Sequence, residues 1–328
     1  MGVTLVTGGT GFIGSHLVER LLKEGEVVRV LVRNPSNLRW LARLRGKVEV
    51  VVGDVTRRSS LREAFKDVDG VYHLAAVFRH GLNSELVWRV NYGGTVNVVN
   101  ECLRRDARLL HVSTVGVLGP ANSEPLSEDS PLNPNPNHYA RSKARAEEYV
   151  LRKCREEGLK AVVVRPAFVY GPRGTYGLNL LIHMLISGSL KVIIGDGSNY
   201  IHPIHVRDLA KALTYVMRRG SAGEAYNAAN EEPVRLRELV ELVMRHANVK
   251  VRFGLPPAIA RLALMLRGGI GGSSVRETIM LFTRNWFYST AKLRSLGWKQ
   301  EIPLDEGIKE TIRWLRSPEA LKHFTSKR

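Results

Sequence analysis

Cysteine is almost absent from this chain: Cys102 and Cys154 are the only two in 328 residues. Two thiols cannot build a disulfide framework, and these fit no metal spacing. A reduced, cytoplasmic setting is the reading that follows. Long apolar runs are missing as well. The longest, LPPAIARLALML at 255–266, is short of a membrane span and carries Arg261, so no transmembrane segment is expected. MGVTLVTGG at the start has neither the charged region nor the cleavage site of a secretory leader. Acidic residues are few beside basic ones: 31 Asp and Glu against 49 Lys and Arg give a net charge of +18. Such a balance can attract nucleic acid or an anionic surface. Here the cations are spread through amphipathic helical stretches, neither blocked together nor interleaved with aromatics. A solvated surface is the main reading and nucleic-acid or anionic-surface binding a minor one. His73, His111 and His138 stand at no ligand spacing, and no metal is expected.

What is present is ordinary for a globular chain, with 44% hydrophobic and 24% charged residues. VTLVTGG reads as a buried strand, GFIGSHLVERLLKEG as a helix and VVRVLVR as a second strand. LRWLARLRG (helix), KVEVVVGDV, SLREAFKD and VDGVYHLAA continue the alternation. The long helical pattern LVWRVNYGGTVNVVNECLRRD leads to strand RLLHVSTVG, and YARSKARAEEYVLRKCREEG leads to strand KAVVVRPAFVYG. Apolar strands joined by helices predict a parallel sheet covered on both faces. The expected fold class is α/β, a Rossmann-type doubly wound parallel sheet with a smaller mixed C-terminal substrate lobe. Residues 1–170 form the dinucleotide-binding domain in this reading. Residues 171–328 form mainly the lobe, with some later segments returning to the sheet.

TLVTGGTGFIGSHL places Gly8, Gly11 and Gly14, with Phe12 and Ile13 among them, at a strand-to-helix turn. Small residues let the backbone approach a pyrophosphate, and the helix N-terminus offers unpaired N–H groups and a positive dipole. With a second strand following, the glycines are a dinucleotide fingerprint in its required context. That second strand ends in Arg33 and Asn34. A carboxylate there would accept from ribose hydroxyls but repel a 2′-phosphate, whereas Arg pairs with phosphate through its planar fork. NADP(H) is therefore the expected cofactor, with NAD(H) the alternative. Asp54, followed by Val55, suits the adenine amine. Leu74, Ala75 and Ala76 suit the adenosine wall.

Tyr139 and Lys143, in YARSK, share one helix face. An ammonium beside a phenol lowers its pKa and can also hold a nicotinamide ribose. The phenol can then give or take a proton at a carbonyl or carbinol oxygen. Ser113 and Thr114, at the end of LLHVSTVG, can orient the same oxygen. Taken in order, Gly8, Gly11 and Gly14, Asp54, HLAA, VNYGGT, STVGVLG, YARSK, RPAFVYGP and IHVRDLA resemble the extended short-chain dehydrogenases/reductases, the epimerase/dehydratase-like group, over nearly the whole chain. The resemblance implies Tyr139 as general acid/base, Lys143 as its electrostatic partner and Thr114 as the hydroxyl member, with Ser113 the alternative. It implies that Asn91 lines the cofactor and that Pro166 and Val169 flank the nicotinamide. A small-molecule substrate is implied to meet Phe78, His80, Thr114 and Phe168, together with Tyr170, Asn179, Ile201 and His202. A homodimer through helices at 86–105 and 139–157 is implied too.

The branch follows from departures. Dehydratases of this group resemble Thr-Asp-Glu where this chain has Thr114-Val115-Gly116, without a carboxylate to drive water loss. Sugar-nucleotide enzymes tend to carry Asn in place of Phe168 and a diphosphate-pairing Arg in place of Ile201. The apolar replacements are similar to the dihydroflavonol-reductase and 3β-hydroxysteroid-dehydrogenase branch. The chain thus reads as an NAD(P)(H)-dependent oxidoreductase moving hydride between nicotinamide and a ketone/secondary-alcohol pair. The alternative is a nucleoside-diphosphate-sugar 4-epimerase with retained NAD, in which Arg79, His80 or Arg173 supplies the missing cation.

Overall fold

The computed structural model describes residues 2–35, 38–78, 84–266 and 272–325. Six strands follow in order along the first half: β1 (Val3–Thr7), β2 (Val27–Val32), β3 (Glu49–Val52), β4 (Val68–His73), β5 (Arg108–Val112) and β6 (Ala161–Pro166). Short strands β7 (Phe168–Tyr170), β8 (Val192–Ile194), β9 (Tyr200–Ile201) and β10 (Pro203–His205) come next, then β11 (Ala225–Ala228), β12 (Val234–Arg235) and β13 (Arg252–Leu255). One parallel seven-stranded sheet has the order β11-β6-β5-β4-β1-β2-β3. The helices that position the site are α1 (Phe12–Lys23), α2 (Arg58–Ala64), α3 (Ser84–Trp88), α4 (Gly94–Arg105), α5 (His138–Glu157), α6 (Leu178–Ile186), α7 (Val206–Arg219) and α8 (Leu236–Ala247), followed by α9 (Pro257–Leu266), α10 (Gly272–Thr283), α11 (Ala291–Ser295) and α12 (Leu304–Leu315). None of the described helices is long and apolar enough to cross a membrane.

The sheet is apolar on both faces because both are covered. Val6, Val30, Leu110 and Val164 pack against Leu17 and Leu21 of α1 and Leu209 and Leu213 of α7. Their strand neighbours Leu5, Leu31, Leu109 and Val163 point the other way, onto Leu61 of α2, Val98 and Cys102 of α4 and Val150 of α5. Strand alternation thus splits one sheet between two cores. A third core lies in the lobe, where Leu181, Ile182, Val240, Val243, Ile308 and Ile312 join α6, α8 and α12. Residue 170 is no clean divide: α7 packs on α1, and β11 extends the main sheet beside β6.

Three local departures from the sequence pattern have physical causes. KAVVVRPAFVYG, expected as one strand, divides after Pro166, which has no N–H for the ladder. Ala167 N–H still reaches Ala228 O, but Phe168 N–H turns to His202 O, so β7 leaves the sheet and pairs with β10. The stretch LRWLARLRG forms a 3₁₀ helix over Arg39–Leu44 in place of an α-helix. The long helix before β5 contains a π-helical turn at Arg89–Gly93, between α3 and α4. Such turns insert one residue and re-aim the side chains around them.

One ion pair is enclosed by the fold. Arg165 on β6 donates to Glu147 Oε1 on α5 from Nε at 2.9 Å and from the terminal nitrogen at 2.5 Å, and also to Glu128 O at 2.9 Å. Both side chains are buried, so removing one partner strands the other charge. Arg165→Met is expected to lower the unfolding free energy by about 3–5 kcal/mol, read from urea denaturation. A loss below about 1 kcal/mol would show that Glu147 finds water or another partner.

Candidate active site

The cofactor cradle is backbone packed on backbone. Gly8 has φ +74°, and a Cβ there would lie 2.8 Å from Leu74 C and Ala75 N at the tip of β4. A Cβ on Gly14 would lie 2.2 Å from Gly8 O. These two positions admit only glycine. Helix α1 starts after Gly11 with no side-chain cap and no acidic residue in its first turn, so the amides at Phe12, Ile13 and Gly14 face an anion unopposed. The pyrophosphate of a dinucleotide fits this cradle. At the next strand tips, Gly53 N–H to Val32 O adds one rung to the ladder. Arg33 and Asp54 therefore emerge side by side, Arg33 exposed and Asp54 half-buried. Asp54 Oδ1 accepts from the amide and hydroxyl of Thr56, both at 2.9 Å, which fixes the carboxylate in an Asx turn. Val55 is buried against Gly94 of α4 and is no open wall. Asn34 is exposed beside Arg33, while Leu74 and Ala75 are half-buried and Ala76 is exposed.

A buried polar column runs from this cradle to the catalytic helix. Ala75 N–H reaches Thr7 Oγ1 at 3.3 Å, and Thr7 Oγ1 lies 2.7 Å from His73 Nδ1. His73 Nε2 lies 3.0 Å from Thr95 Oγ1, which donates to Asn91 O at 2.6 Å. Asn91 Nδ2 donates to Ser142 Oγ at 3.0 Å, and Ser142 donates to Tyr139 O at 2.8 Å. The donor order requires a neutral His73 with its proton on Nε2. Burial, then the Lys143 charge, pushes the pKa of His73 down to about 3. Asn91 also clamps Val77 through both amide groups, at 2.8 and 3.2 Å. It is fully buried.

Asn137 caps α5, its Oδ1 accepting Ala140 N–H at 2.6 Å, so Tyr139 stands in the first turn and Lys143 one turn on. Thr114 Oγ1, at the end of β5, accepts Gly116 N–H at 3.1 Å. Burial, and then the neighbouring Tyr176, push the Tyr139 phenol above its ordinary pKa; Thr114 pulls back less. Lys143 is wholly buried, and burial brings its pKa down to about 7, with the Glu147 carboxylate opposing. Ser113 is buried, and its hydroxyl has no partner among the described residues. Thr114 thus stands at the end of β5, and Tyr139 and Lys143 stand on successive turns of α5.

Around Tyr139 the walls are aromatic. Phe78 meets it edge-on with centroids 4.7 Å apart, and Tyr176 lies 5.3 Å from Phe78 and 6.0 Å from Phe12. Phe78 and Tyr176 are each 39% exposed and look into the groove. Tyr176 carried no signal in the sequence, since it sits in a glycine-flanked loop outside any motif. Phe168 is half-buried against Trp286 at 5.8 Å, while Pro166 and Val169 hold the end of β6 and the start of β7.

Four expected substrate contacts stand elsewhere. Tyr170 and Ile201 are buried in the lobe core. Asn179 is spent on the loop after β7, bonding Gly171 through both its amide oxygen and nitrogen and Gly174 through its nitrogen. His202 has both ring nitrogens engaged by backbone, Nε2 with Asn230 O at 2.9 Å and Nδ1 with Tyr288 N at 3.2 Å. Arg173, at φ +73°, donates to Ser15 and Glu19 of α1 and closes the loop over that helix. His80 and Arg79 lie outside the described residues.

A seven-stranded Rossmann-type sheet, a glycine cradle at its first helix and a Thr-Tyr-Lys set at its C-terminal edge define a nicotinamide-dinucleotide enzyme of the short-chain dehydrogenase/reductase kind. The chain belongs to the NAD dependent epimerase/dehydratase family, whose model matches residues 4–229. It is 29% identical to 3beta-hydroxysteroid-dehydrogenase/decarboxylase isoform 1 of Arabidopsis thaliana over 94% of this chain and 78% of that one. It is 31% identical to 4-hydroxy-2-methyl-3-oxo-4-farnesyl-3,4-dihydroquinoline-1-oxide ketoreductase of Stigmatella aurantiaca over 80% of this chain and 79% of that one. Among solved structures, UDP-glucose 4-epimerase of Thermus thermophilus, in complex with NAD, superposes with a TM-score of 0.76 at 26% identity, covering 96% of this chain and 99% of that one.

Burial holds His16, His73 and His202 at pKa values of about 4, 3 and 4, below the ordinary 6.5. Between those values and 6.5 the unfolded chain takes up protons that the folded chain refuses, so stability falls as pH drops below 6.5. The urea midpoint is expected to decline between pH 6.5 and 4.5, and more shallowly in His202→Gln. A midpoint independent of pH over that range would mean these rings are solvated or charged in the native state.

Proposed function

We propose that this chain is an NADPH-dependent reductase of an apolar ketone, acting in reverse as a secondary-alcohol dehydrogenase. One observation carries the reading: the Tyr139 phenol, whose pKa burial raises, meets Phe78 edge-on, and Phe78 in turn packs against Tyr176. A protonated phenol among aromatic rings suits a carbonyl on an apolar skeleton, the group that needs a proton on reduction. The hydroxysteroid and ketoreductase relatives point the same way. A bound nicotinamide supplies the hydride. Thr114 orients the carbonyl oxygen, Tyr139 gives it the proton, and Lys143 holds the ribose and offsets the charge left on the phenolate. The exposed Arg33, which no carboxylate pairs among the described residues, is the partner for a 2′-phosphate. A homodimer through α4 and α5, in a cytoplasmic setting, belongs to the same proposal.

The nucleotide content of the purified protein, followed by NADPH and NADH titrations, tests the assignment. The expected protein releases its cofactor and prefers NADPH, and Arg33→Asp reverses that preference by at least about tenfold. Retained NAD in every molecule, indifferent to Arg33, would instead favour a sugar-nucleotide 4-epimerase, the activity named for the Thermus thermophilus protein. In a ketone panel with NADPH, Tyr139→Phe is expected to lower kcat by about 10²–10⁴-fold at unchanged NADPH affinity. A smaller loss would assign the proton to another donor.

A further inference from the structure

His111 is a buried histidine that the proposed reaction does not use. It stands on β5 two residues before Ser113, on the strand face covered by α4 and α5, and is fully buried. Its Nε2 lies 3.3 Å from Lys143 Nζ. Its Nδ1 has no partner among the described residues. The groups facing this pair are few. His73 of β4 lies across from His111 with centroids 5.5 Å apart, and both its nitrogens are taken by Thr7 and Thr95. Glu147, one turn beyond Lys143 on α5, raises the lysine pKa from a distance and is itself bonded to Arg165. Tyr139 lies one turn back on α5, its ring edge-on to Phe78.

We propose that His111 is a positioning residue for Lys143: its Nε2 accepts a hydrogen bond from the ammonium and fixes Nζ at the floor of the cofactor groove. An ammonium has three donors and no acceptor, so the ring nitrogen facing it must carry the lone pair and the imidazole proton must sit on Nδ1. Burial, followed by the Lys143 charge and His73, holds the His111 pKa well below its ordinary value, which keeps that lone pair available. The acceptor matters because the fold buries Lys143 almost completely and offers its ammonium few partners. Without it, the ammonium would have only the distant Glu147 to offset its desolvation. Among the described residues no other group accepts from Nζ, and the two remaining N–H groups are left for ribose hydroxyls. This role rests on the assignment of Lys143 to the cofactor site, so it is tested on the cofactor-free protein, where NADPH binding has no bearing on the readout.

Two NMR measurements decide it. In uniformly ¹⁵N-labelled wild-type protein near pH 7, His111 is expected as the neutral Nδ1–H tautomer with Nε2 unprotonated; an Nε2–H tautomer would overturn the proposal. With [¹³Cε]lysine, one signal, absent from Lys143→Met, is expected to titrate near pH 7. His111→Leu, and His111→Phe should the leucine variant fail to fold, is expected to lower that midpoint by about one pH unit or more. His111→Gln, whose amide oxygen can accept from the same ammonium, is expected to restore it. A midpoint unchanged in the apolar variants, or no better in the glutamine variant, would reduce His111 to a packing residue.

Discussion

A neutral imidazole strung between two threonines ties the two halves of this active site together. His73 accepts from Thr7, the last residue before the glycine turn, and donates to Thr95, through which the column continues to Asn91, Ser142 and the backbone of Tyr139. Every member has one consistent donor–acceptor role, and a proton added to the ring would break the sequence at Thr7. Buried networks of this kind are specific because a half-satisfied one costs more than an apolar core. The glycine turn and α5 lie far apart in the chain. The column sets the distance between them.

Two other constraints hold that frame still. The glycine turn packs main chain on main chain, Gly8 against Leu74 and Ala75 and Gly14 against Gly8. The first turn of α1 therefore opens where an anion can reach its amides. On the far side of the site, Arg165 and Glu147 lock β6 to α5 in an enclosed pair. Such pairs add little net stability beside apolar contacts of equal volume but penalise every arrangement that separates them. Here the arrangement enforced is the register of α5 on the sheet, and hence the height of Tyr139 and Lys143 above it.

Burial then tunes the chemistry. Desolvation pushes the Tyr139 phenol above its ordinary pKa and brings Lys143, one helical turn on, down to about 7. Beside the phenol, Phe78 and Tyr176 present partly exposed aromatic rings.

Much of this was legible in the residues themselves. The doubly wound sheet shows as apolar strands punctuated by amphipathic helices, because burial on both faces leaves that mark on composition. The turn shows as a run of glycines, because at Gly8 and Gly14 only glycine survives such close approach. That Tyr139 and Lys143 share one helix face was legible because local spacing sets that face. The lobe was less readable. Tyr170, Asn179, Ile201 and His202 follow motifs toward the pocket, yet their side chains are taken up by the lobe core, a loop and two backbone groups. Tyr176 and His111 acquire their places only when segments distant in sequence meet: a loop folds over α1, and β5 comes to lie beneath α5. Sequence determines periodicity, turn chemistry and which residues must be small. Which polar atom finds which partner depends on long-range packing, and that only the tertiary structure decides.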